Sequence, residues 1–557
     1  MNEGTVAPTT WGEPMQLGDA RDQTVAVVQT LHRGDDDLLT GGLGRAGLLA
    51  DIQAAATSTD RAALRRRAIH TNWRGIAALG RRDVVNAALD VPVPGREFHA
   101  ALQWPGDRQP SRFMLQLPDH FDVRRPRLLV VPSSGSRGIY GAMALGSGWA
   151  LPRGWAVAYT DRGAGTDWFD VDTRTAPELS GLRTDDPAAQ LFRVDSAELA
   201  GLPKHSVLIK HAHGGDHAEA HWGAFVEQAR DFAWRLIDRV LPDCIGPRVS
   251  VAAGLSNGGG AVLRVLELEH GFDGVLAAAP NVYPVGGRAF PRYALEAALW
   301  IALAQAAPTL RDAPSPLPAE AWQAQAEQAE SALLELGLLR RRSANNPVFA
   351  YRHLRRRGWP SETLAATRLS SVFDFWFSAL PTYFCAAGRF APNAQPLPVW
   401  FGPAAADGAP RAATDAERNL WWSDAAGIVP GAGVSLHTPD GRTAVLRRAS
   451  ELVRGNDDIA QRVRQGFRAT RCGPILRSCP TTVLHGRSDG LIPSVCSSEP
   501  WLRFARAQGH RDVESIRPER TPHFDAFLGL PGYGEHYDAM LPHVYAGLDA
   551  LAARLRS

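Results

Sequence analysis

Lysine is almost missing from this sequence, and neither charge predominates in the chain as a whole. Lys204 and Lys210 are the two lysines among 557 residues. The 60 basic residues are balanced by 58 acidic ones, which leaves a formal net charge of +2, and the arginines are spread along the chain. Proteins that bind nucleic acids carry a clustered basic surface that neutralises phosphates. We therefore expect no nucleic-acid partner.

Cysteine is also scarce, and its spacing excludes two kinds of site. The five cysteines are odd in number, scattered and without C-x-x-C spacing; they are Cys244, Cys385, Cys472, Cys479 and Cys496. Neither a zinc site nor a dense disulfide framework fits that pattern. A bond between Cys472 and Cys479 is left open by their short separation.

Long apolar runs are absent as well. No stretch of 18 apolar residues occurs, so no membrane partner is expected. Residues 1–22 include acidic side chains and lack the apolar segment of a signal peptide. This pattern predicts a cytoplasmic protein, with secretion as the alternative if the N-terminus is incomplete.

Short apolar runs alternate with helical patterns from residue 127 onward. Strands of a parallel sheet are apolar along their whole length because helices cover both faces. The predicted strands are 128–131, 156–159, 249–253, 274–278, 482–484 and 513–516, with a predicted helix at 222–241. Ahead of them, residues 98–117 predict an antiparallel hairpin that turns at P-G-D.

The alternation stops after Pro280 and returns near residue 481. Between these points, Ala-, Leu- and Arg-rich helical patterns alternate with Pro/Gly loops. We predict an α/β fold of the α/β-hydrolase type, a mostly parallel sheet with a large, mainly helical lid insertion. The expected parts are an N-terminal extension (1–95), the first part of the core (96–285), the lid (286–470) and the second part of the core (471–557).

Two G-x-S-x-G patterns compete for the role of a nucleophile elbow. They are G-L-S-N-G at 254–258 and G-R-S-D-G at 486–490. An elbow follows a strand and opens a helix, because the turn lifts the serine hydroxyl above the sheet. The first pattern lies between V-S-V-A-A and a helical sequence, whereas Pro493 follows the second at a point where a helix would break. We therefore predict Ser256 as the nucleophile; the alternative is a helix N-cap serine.

A serine hydroxyl needs a histidine base, and the histidine needs a carboxylate that fixes its tautomer. In this fold the chain order is serine, acid, histidine. The second G-x-S-x-G pattern supplies Asp489, in a loop after a predicted strand at the carboxyl edge of the sheet. His523 lies on a Pro-containing loop after the last predicted strand. We predict Asp489 as the acid and His523 as the base, against an Asx-turn residue and a loop histidine without a role.

Two backbone N–H groups are expected to bind the oxyanion that forms during acyl transfer. One belongs to Asn257, which follows the nucleophile, and the other to the loop P-S-S-G-S-R after the first core strand, at Ser134 or Gly135. The alternative for this loop is an ordinary glycine-rich turn. Arg137 on the same loop is a candidate for binding a substrate carboxylate, against a solvated arginine.

The cluster K-H-A-H-G-G-D-H at 210–217 has the composition of a metal site but no matching acidic pattern. We interpret it as a polar loop, so the metal prediction is none. The predicted serine chemistry requires no cofactor.

Four segments together resemble the D-(−)-3-hydroxybutyrate oligomer hydrolases. They are D-D-D-L-L-T-G-G-L-G at 35–44, P-S-S-G-S-R-G-I-Y-G-A at 132–142, S-N-G-G-G-A at 256–261, and H-G-R-S-D-G-L-I-P at 485–493 with H-F-D-A-F at 523–527. The resemblance implies hydrolysis of short 3-hydroxybutyrate chains to monomers, downstream of polyhydroxybutyrate depolymerase, with Ser256 as the active-site serine. Tannases and feruloyl esterases share the layout, but Leu255 and Pro522 occupy the positions of their hallmark cysteines.

The expected partner is therefore a small ester substrate, and the oligomeric state stays open. Two other functions remain possible on the sequence. One is a carboxylesterase or feruloyl-type esterase for another acyl group. The other is a non-catalytic protein that binds polyester granules, which labelling by a fluorophosphonate probe would distinguish from an enzyme.

Replacing the predicted nucleophile gives the first test. Ser256→Ala should abolish ester hydrolysis without unfolding the protein, because losing a catalytic serine costs on the order of a millionfold in rate while a hydroxyl deletion in a turn costs little stability. Hydrolysis and thermal unfolding are measured side by side with Ser488→Ala, the serine of the other pattern. Activity retained in the first variant and lost in the second would reverse the assignment.

Overall fold

The structure, a computed structural model, describes residues 11–19, 24–51, 60–269, 271–424 and 433–555. Its strands are β1 (Met15–Gly18), β2 (Thr24–His32), β3 (Gly95–Leu102), β4 (Ser111–Pro118), β5 (Arg127–Pro132), β6 (Ala156–Thr160), β7 (Trp168–Asp170), β8 (Ala176–Pro177), β9 (Arg183–Thr184), β10 (Val207–Ile209), β11 (Val249–Leu255), β12 (Gly274–Ala278), β13 (Trp400–Pro403), β14 (Val434–His437), β15 (Thr481–Leu484) and β16 (Val513–Ile516).

Its α-helices are α1 (Gly44–Leu49), α2 (Arg61–Arg74), α3 (Val84–Ala87), α4 (Ser147–Ala150), α5 (Lys210–His213), α6 (Trp222–Val240), α7 (Asn257–Arg264), α8 (Phe290–Ala304), α9 (Ala319–Glu335), α10 (Asn346–Arg356), α11 (Ser361–Val372), α12 (Phe375–Gly388), α13 (Asp415–Trp421), α14 (Gly441–Arg454), α15 (Asp458–Ala469), α16 (Ser498–Ala507), α17 (Tyr533–His536) and α18 (Leu541–Arg554). In the described ranges no helix is long and apolar enough to cross a bilayer.

The central sheet has the strand order β1-β2-β3-β4-β6-β5-β11-β12-β15-β16 among the described residues. Within this sheet, the neighbouring strands β6, β5, β11, β12, β15 and β16 pair in parallel. The pairs β1–β2, β2–β3, β3–β4 and β4–β6 are antiparallel. This arrangement confirms the predicted α/β fold with a mostly parallel sheet. The six predicted strands agree with β5, β6, β11, β12, β15 and β16 to within two residues, and the predicted hairpin is β3–β4.

Helices cover the sheet on both faces, which explains why strands β5, β6, β11, β12 and β15 are buried along nearly their whole length. In β5, Leu129 and Val131 pack into one hydrophobic core with α2, α4 and α18, while Leu128 and Val130 pack into a second core with α6, α7 and α16. Alternate residues of a strand point to opposite faces, so both sets are buried. The carboxyl edge of the parallel strands is left for loops, which is where active sites of such sheets form.

A further hydrophobic core lies mostly within residues 286–470, and Ile492 and Cys496 also belong to it. It is built from α8, α10, α12, α14 and α15, with Trp376 and Phe377 inside it. The segment is not wholly helical, because β13 and β14 form an antiparallel pair that the sequence pattern did not reveal. Strands β12 and β15, on either side of the segment in the sequence, are neighbours in the sheet.

A buried ionic network joins the N-terminal residues to the sheet. Glu97 in β3 accepts hydrogen bonds from Arg65 at 3.0 and 3.1 Å, from Tyr140 at 2.5 Å and from Gln116 at 3.0 Å. Burial opposes ionisation of Glu97, but Arg65 and the neighbouring histidines hold its pKa well below the usual range. Because Tyr140 follows the P-S-S-G-S-R loop, this network fixes one end of that loop.

The five cysteines are free thiols, so Cys472 and Cys479 are not bonded.

Candidate active site

Ser256 occupies a strained turn between β11 and α7. Its φ and ψ angles are 59° and −119°, in a region that costs a non-glycine residue about 1–3 kcal/mol. Backbone hydrogen bonds hold the turn: the Ser256 N–H donates to the Ala278 carbonyl at 3.0 Å, and the Asn281 N–H donates to the Ser256 carbonyl at 2.8 Å. This is the strand–turn–helix geometry of a nucleophile elbow.

Two glycines allow the elbow to pack closely. A Cβ on Gly258 would lie 2.5 Å from the Pro132 carbonyl oxygen, and a Cβ on Gly260 would lie 1.9 Å from the Asn281 carbonyl oxygen. Only hydrogen fits at either place. The first of these contacts brings the start of α7 against the loop that follows β5, so the two predicted sources of oxyanion donors are adjacent.

The carboxylate of Asp489 is held by four donors. Its Oδ1 accepts the backbone N–H groups of Leu491 and Ile492, both at 2.8 Å, and its Oδ2 accepts from His523 Nδ1 at 2.7 Å and from His485 Nε2 at 3.1 Å. Burial favours the neutral acid, but His523, together with His485, holds the pKa of Asp489 well below its usual range. The acid is therefore an anion at neutral pH.

His523 is oriented by that carboxylate and keeps one ring nitrogen free. With Nδ1 donating to Asp489, Nε2 is the atom left to accept a proton. Nε2 is buried and has no hydrogen-bond partner within the described ranges, so the Ser256 hydroxyl is not bonded to it in this structure. Catalytic hydrogen bonds are often formed only in the complex with substrate.

His485 was missed by the sequence analysis. It lies at the end of β15, where its Nε2 also donates to the Ile492 carbonyl at 2.8 Å and its Nδ1 accepts from the Ser498 hydroxyl at 2.7 Å. Its position four residues before Asp489 was visible in the sequence, but its contact with the acid depends on how the loop folds back.

The predicted oxyanion donors lie on both sides of the elbow. Asn257 is the first residue of α7, where backbone N–H groups have no partner inside the helix. On the facing loop, the Ser133 N–H is bonded to the Thr160 carbonyl at 3.0 Å, which leaves Ser134 and Gly135 as the candidates. Gly135 has a φ of 54°, a conformation that favours glycine.

Arg162 is a second residue that the sequence analysis did not single out. Its Nε donates to the Ser133 carbonyl at 2.7 Å and its Nη2 to the Gly135 carbonyl at 2.5 Å. The guanidinium is buried over the Trp222 ring, with its carbon 5.0 Å from the centroid, and burial lowers its pKa to about 10. Arg162 thus binds two carbonyl groups of the predicted oxyanion loop, Ser133 and Gly135. These bonds leave the backbone N–H groups of Ser134 and Gly135 available as the predicted oxyanion donors.

Arg137 is buried and not solvated. It is 8% exposed, its Nη2 donates to the Gly75 carbonyl at 3.1 Å, and its Nη1 has no partner within the described part of the chain. The guanidinium lies over the Phe524 ring, and that ring stands edge-on to His523 at a centroid distance of 4.5 Å. Burial lowers the pKa of Arg137 to about 10, and Asp424 opposes the shift, so the charge persists at neutral pH.

The interpretation of 210–217 as a polar loop holds for residues 214–217 and not for residues 210–213. Residues 210–213 form helix α5, and Lys210 is buried between Asp161 at 3.0 Å and Asp167 at 3.2 Å. His211 and His217 both bond to Glu219. Each charge is compensated inside the protein, which is how buried polar groups are tolerated. Among the residues described, no group of three or more His, Cys, Asp or Glu side chains is arranged to hold a metal ion.

Asp525, two residues after His523, is another carboxylate near the site. Its Oδ1 accepts the Met540 N–H at 2.6 Å and its Oδ2 accepts the Leu541 N–H at 2.9 Å, so it caps helix α18. Burial raises its pKa to about 7. Its oxygens are thus engaged by the helix terminus and not by a histidine.

The elbow, the carboxyl edge of a mostly parallel sheet and the Asp489–His523 pair define a serine hydrolase of the α/β-hydrolase class. The profile of the 3HB-oligomer hydrolase family matches residues 13–450 and 443–557. The chain therefore belongs to the 3HB-oligomer hydrolase family.

Individual relatives and solved structures are similar to this chain over most of its length. The D-(−)-3-hydroxybutyrate oligomer hydrolases of Paracidovorax citrulli and Cupriavidus necator are each 30% identical to this chain over 93% of its length and over 85% and 82% of theirs. Among solved structures, the rice cell wall degrading esterase LipA from Xanthomonas oryzae is 12% identical with a TM-score of 0.41, covering 85% of this chain and 95% of its own. Candida antarctica lipase A is 10% identical with a TM-score of 0.34, covering 85% and 88%.

Two carboxylate variants test the assignment of the acid. Asp489→Asn should keep the fold and lower the rate of ester hydrolysis by about four orders of magnitude, because the base loses its orienting anion. Asp525→Asn should stay within about tenfold of the wild-type rate, since its carboxylate caps a helix and orients no histidine. A near-normal rate for the first variant and a large loss for the second would make Asp525 the acid.

Proposed function

We propose that this protein hydrolyses the ester bonds of short 3-hydroxybutyrate oligomers and releases 3-hydroxybutyrate monomers, as a step in polyhydroxybutyrate breakdown. One observation supports the proposal: the family match spans residues 13–557, and within them Ser256 lies in an elbow while Asp489 and His523 form a hydrogen-bonded pair. The relatives named as D-(−)-3-hydroxybutyrate oligomer hydrolases supply the substrate class.

The first half of the proposed reaction forms an acyl-enzyme. His523 Nε2 takes the proton from the Ser256 hydroxyl as Oγ attacks the ester carbonyl, and Asp489 stabilises the imidazolium that results. The N–H of Asn257 and an N–H of Ser134 or Gly135 bind the oxyanion. The intermediate collapses when His523 returns its proton to the leaving alkoxide, which departs as the hydroxyl end of one fragment.

The second half uses water as the nucleophile. His523 takes a proton from the water as its oxygen attacks the acyl-enzyme, and a second oxyanion is held by the same N–H groups. Its collapse breaks the bond to Ser256 Oγ, which recovers its proton from His523. The other fragment leaves as a carboxylic acid and ionises, so the site returns to its starting state without a cofactor.

Arg137 is proposed to bind the free carboxylate at the end of the oligomer. The guanidinium has an unpartnered Nη1, and a single aromatic ring, Phe524, separates it from His523. A buried cation with an unsatisfied donor gains much from an anion, because the surroundings screen the interaction weakly. Such contact would place an ester bond near the chain end at Ser256.

The buried site leads to a prediction about the physical form of the substrate. Ser256 is 7% exposed and His523 is 1% exposed, so a single chain end must enter the protein, which a chain packed in a crystal cannot do. Dissolved 3-hydroxybutyrate trimer should therefore be cleaved well and crystalline polymer poorly. Acid release from trimer is compared with clearing of a polymer suspension at equal enzyme concentration.

Ser256→Ala protein is the control for both assays, because it lacks the nucleophile and any clearing that it causes is not ester hydrolysis. If the suspension clears as fast as the trimer is consumed, the enzyme is a depolymerase and the proposal fails. Slow turnover of the trimer together with fast turnover of aryl esters would instead assign the protein to another group of carboxylesterases.

Matched free-acid and methyl-ester substrates test the role of Arg137. Arg137→Met should lower kcat/KM for the 3-hydroxybutyrate dimer by about 10- to 100-fold, the effect of losing a charge-assisted hydrogen bond worth about 1.5–3 kcal/mol. The same variant should change kcat/KM for the dimer methyl ester little, because that substrate carries no anion. Equal losses on the two substrates would show a structural effect only.

Arg153→Met is the matched control for this experiment. Arg153 also stacks on an aromatic ring, with its guanidinium carbon 5.0 Å from the centroid of Trp149, but it lies at the protein surface. It should leave the ratio between the two substrates unchanged.

A further inference from the structure

A second buried set of serine, histidine and carboxylate lies beside the oxyanion loop. Ser136 Oγ is 2.6 Å from His211 Nδ1, and His211 Nε2 is 2.5 Å from Glu219 Oε1. The other carboxylate oxygen, Glu219 Oε2, is 3.1 Å from His217 Nδ1. All four side chains are at most 5% exposed. This chain of contacts is called the Ser136 relay below.

The direction of each hydrogen bond follows from the partners. Burial raises the pKa of Glu219, but His211 and His217 together lower it well below the usual range, so the group is a carboxylate that only accepts. His211 Nε2 therefore donates to Glu219. In the neutral ring, Nδ1 is then an acceptor, and the Ser136 hydroxyl donates to it.

His217 connects the relay to helix α15. Its Nε2 is 2.9 Å from the Gly466 carbonyl oxygen, and its Nδ1 is 3.1 Å from Glu219 Oε2. The relay thus joins the loop after β5 to helix α15 through buried side chains.

The same relay touches the elbow through Tyr383 in α12. The Tyr383 ring stands edge-on to His211 at a centroid distance of 5.3 Å, and its hydroxyl accepts from Asn257 Nδ2 at 2.7 Å. Asn257 is the predicted oxyanion donor on the elbow side, and Ser136 directly follows Gly135 on the loop side. Both sides of the oxyanion hole are therefore connected to His211.

We infer that the Ser136 relay is a positioning device that fixes the oxyanion loop relative to Ser256. Arg162 holds the carbonyl groups of this loop, and the Ser136 hydroxyl anchors it one residue further on. Donors of an oxyanion hole stabilise the transition state only when they are held to within about 0.5 Å of the productive geometry. The inference rests on the proposed role of Ser134 and Gly135 in ester hydrolysis.

Ser136 is not placed as a second nucleophile. Ser256 lies in a strained turn that opens helix α7, whereas Ser136 lies in a loop and does not have a positive φ. An activated serine of this fold depends on the strained turn, which exposes the hydroxyl to a substrate carbonyl. The resemblance of the relay to a triad is therefore one of composition.

The test uses kinetics that separate binding from chemistry. Ser136→Ala and Glu219→Gln should each lower kcat for p-nitrophenyl butyrate by about 10- to 100-fold and leave KM within about twofold, because donors of the oxyanion hole act in the transition state. Affinity for a trifluoromethyl ketone, which forms a tetrahedral adduct with Ser256, should fall by the same factor as kcat. Ser136→Thr keeps the hydroxyl and should restore most of kcat.

Ser478→Ala is the matched control. Ser478 makes the same kind of contact, with its Oγ 3.1 Å from His510 Nδ1, but it lies at the surface beside β15 and should leave kcat and ketone affinity unchanged. The simple ester is used because its hydrolysis depends on the Ser256 chemistry alone. If 3-hydroxybutyrate oligomers prove not to be the substrate, kcat for the simple ester still tests the inferred role of the Ser136 relay.

Three results would overturn the inference. One is an unchanged kcat in Ser136→Ala and Glu219→Gln. Another is a rise in KM that accounts for the whole loss of kcat/KM. The third is fluorophosphonate labelling of Ser256→Ala protein that disappears when Ser136→Ala is added, which would make Ser136 a nucleophile.

Discussion

The parallel pairing of β12 with β15 is the constraint on which the site depends. The chain leaves the sheet at Ala278, beside the elbow, and pairs again from Thr481 onward, so that Ala278 lies opposite Leu484. The Asp489 loop, β16 and His523 follow β15 in the chain, so their positions relative to the elbow depend on that register. A slip by one residue would turn each side chain of β15 to the opposite face. The entropic cost of closing a loop rises only slowly with its length, which allows a long segment between these two strands.

The sequence predicted the parts of this arrangement that are set by local patterns. The apolar runs of the parallel strands locate β11 and β15, and the G-x-S-x-G context selects Ser256 over Ser488. The order of acid and histidine after the elbow then gave the pair that the structure joins at 2.7 Å. By contrast, the sequence could not exclude a solvated arginine at position 137, because a single sequence does not show whether a polar side chain is buried. In the structure Arg137 is buried.

The interpretation of residues 210–217 was incomplete for the same physical reason. Charged residues are usually exposed because burial of an unpaired charge is costly, so a run such as K-H-A-H-G-G-D-H indicates a polar loop and not a buried cluster. Here the compensating groups, Asp161 and Glu219 among them, come from other parts of the chain. Such pairs rarely add stability over an apolar core, but each one accepts only a limited set of geometries. Around this site they connect the loops that carry Arg162 and Ser136 to other parts of the chain.

The segment 286–470 is joined to the site by hydrogen bonds of the same kind. Tyr383 of α12 bonds to Asn257 at the elbow, Gly466 of α15 accepts from His217 of the Ser136 relay, and Ser370 of α11 donates to the Gly490 carbonyl next to Asp489 at 3.0 Å. A flap that swung away as one body would break all three contacts and leave buried polar groups unpaired at each end. In this structure the segment therefore forms a wall of the site. Substitutions on its inner face should alter the chemistry at Ser256 as well as the access of substrate to it.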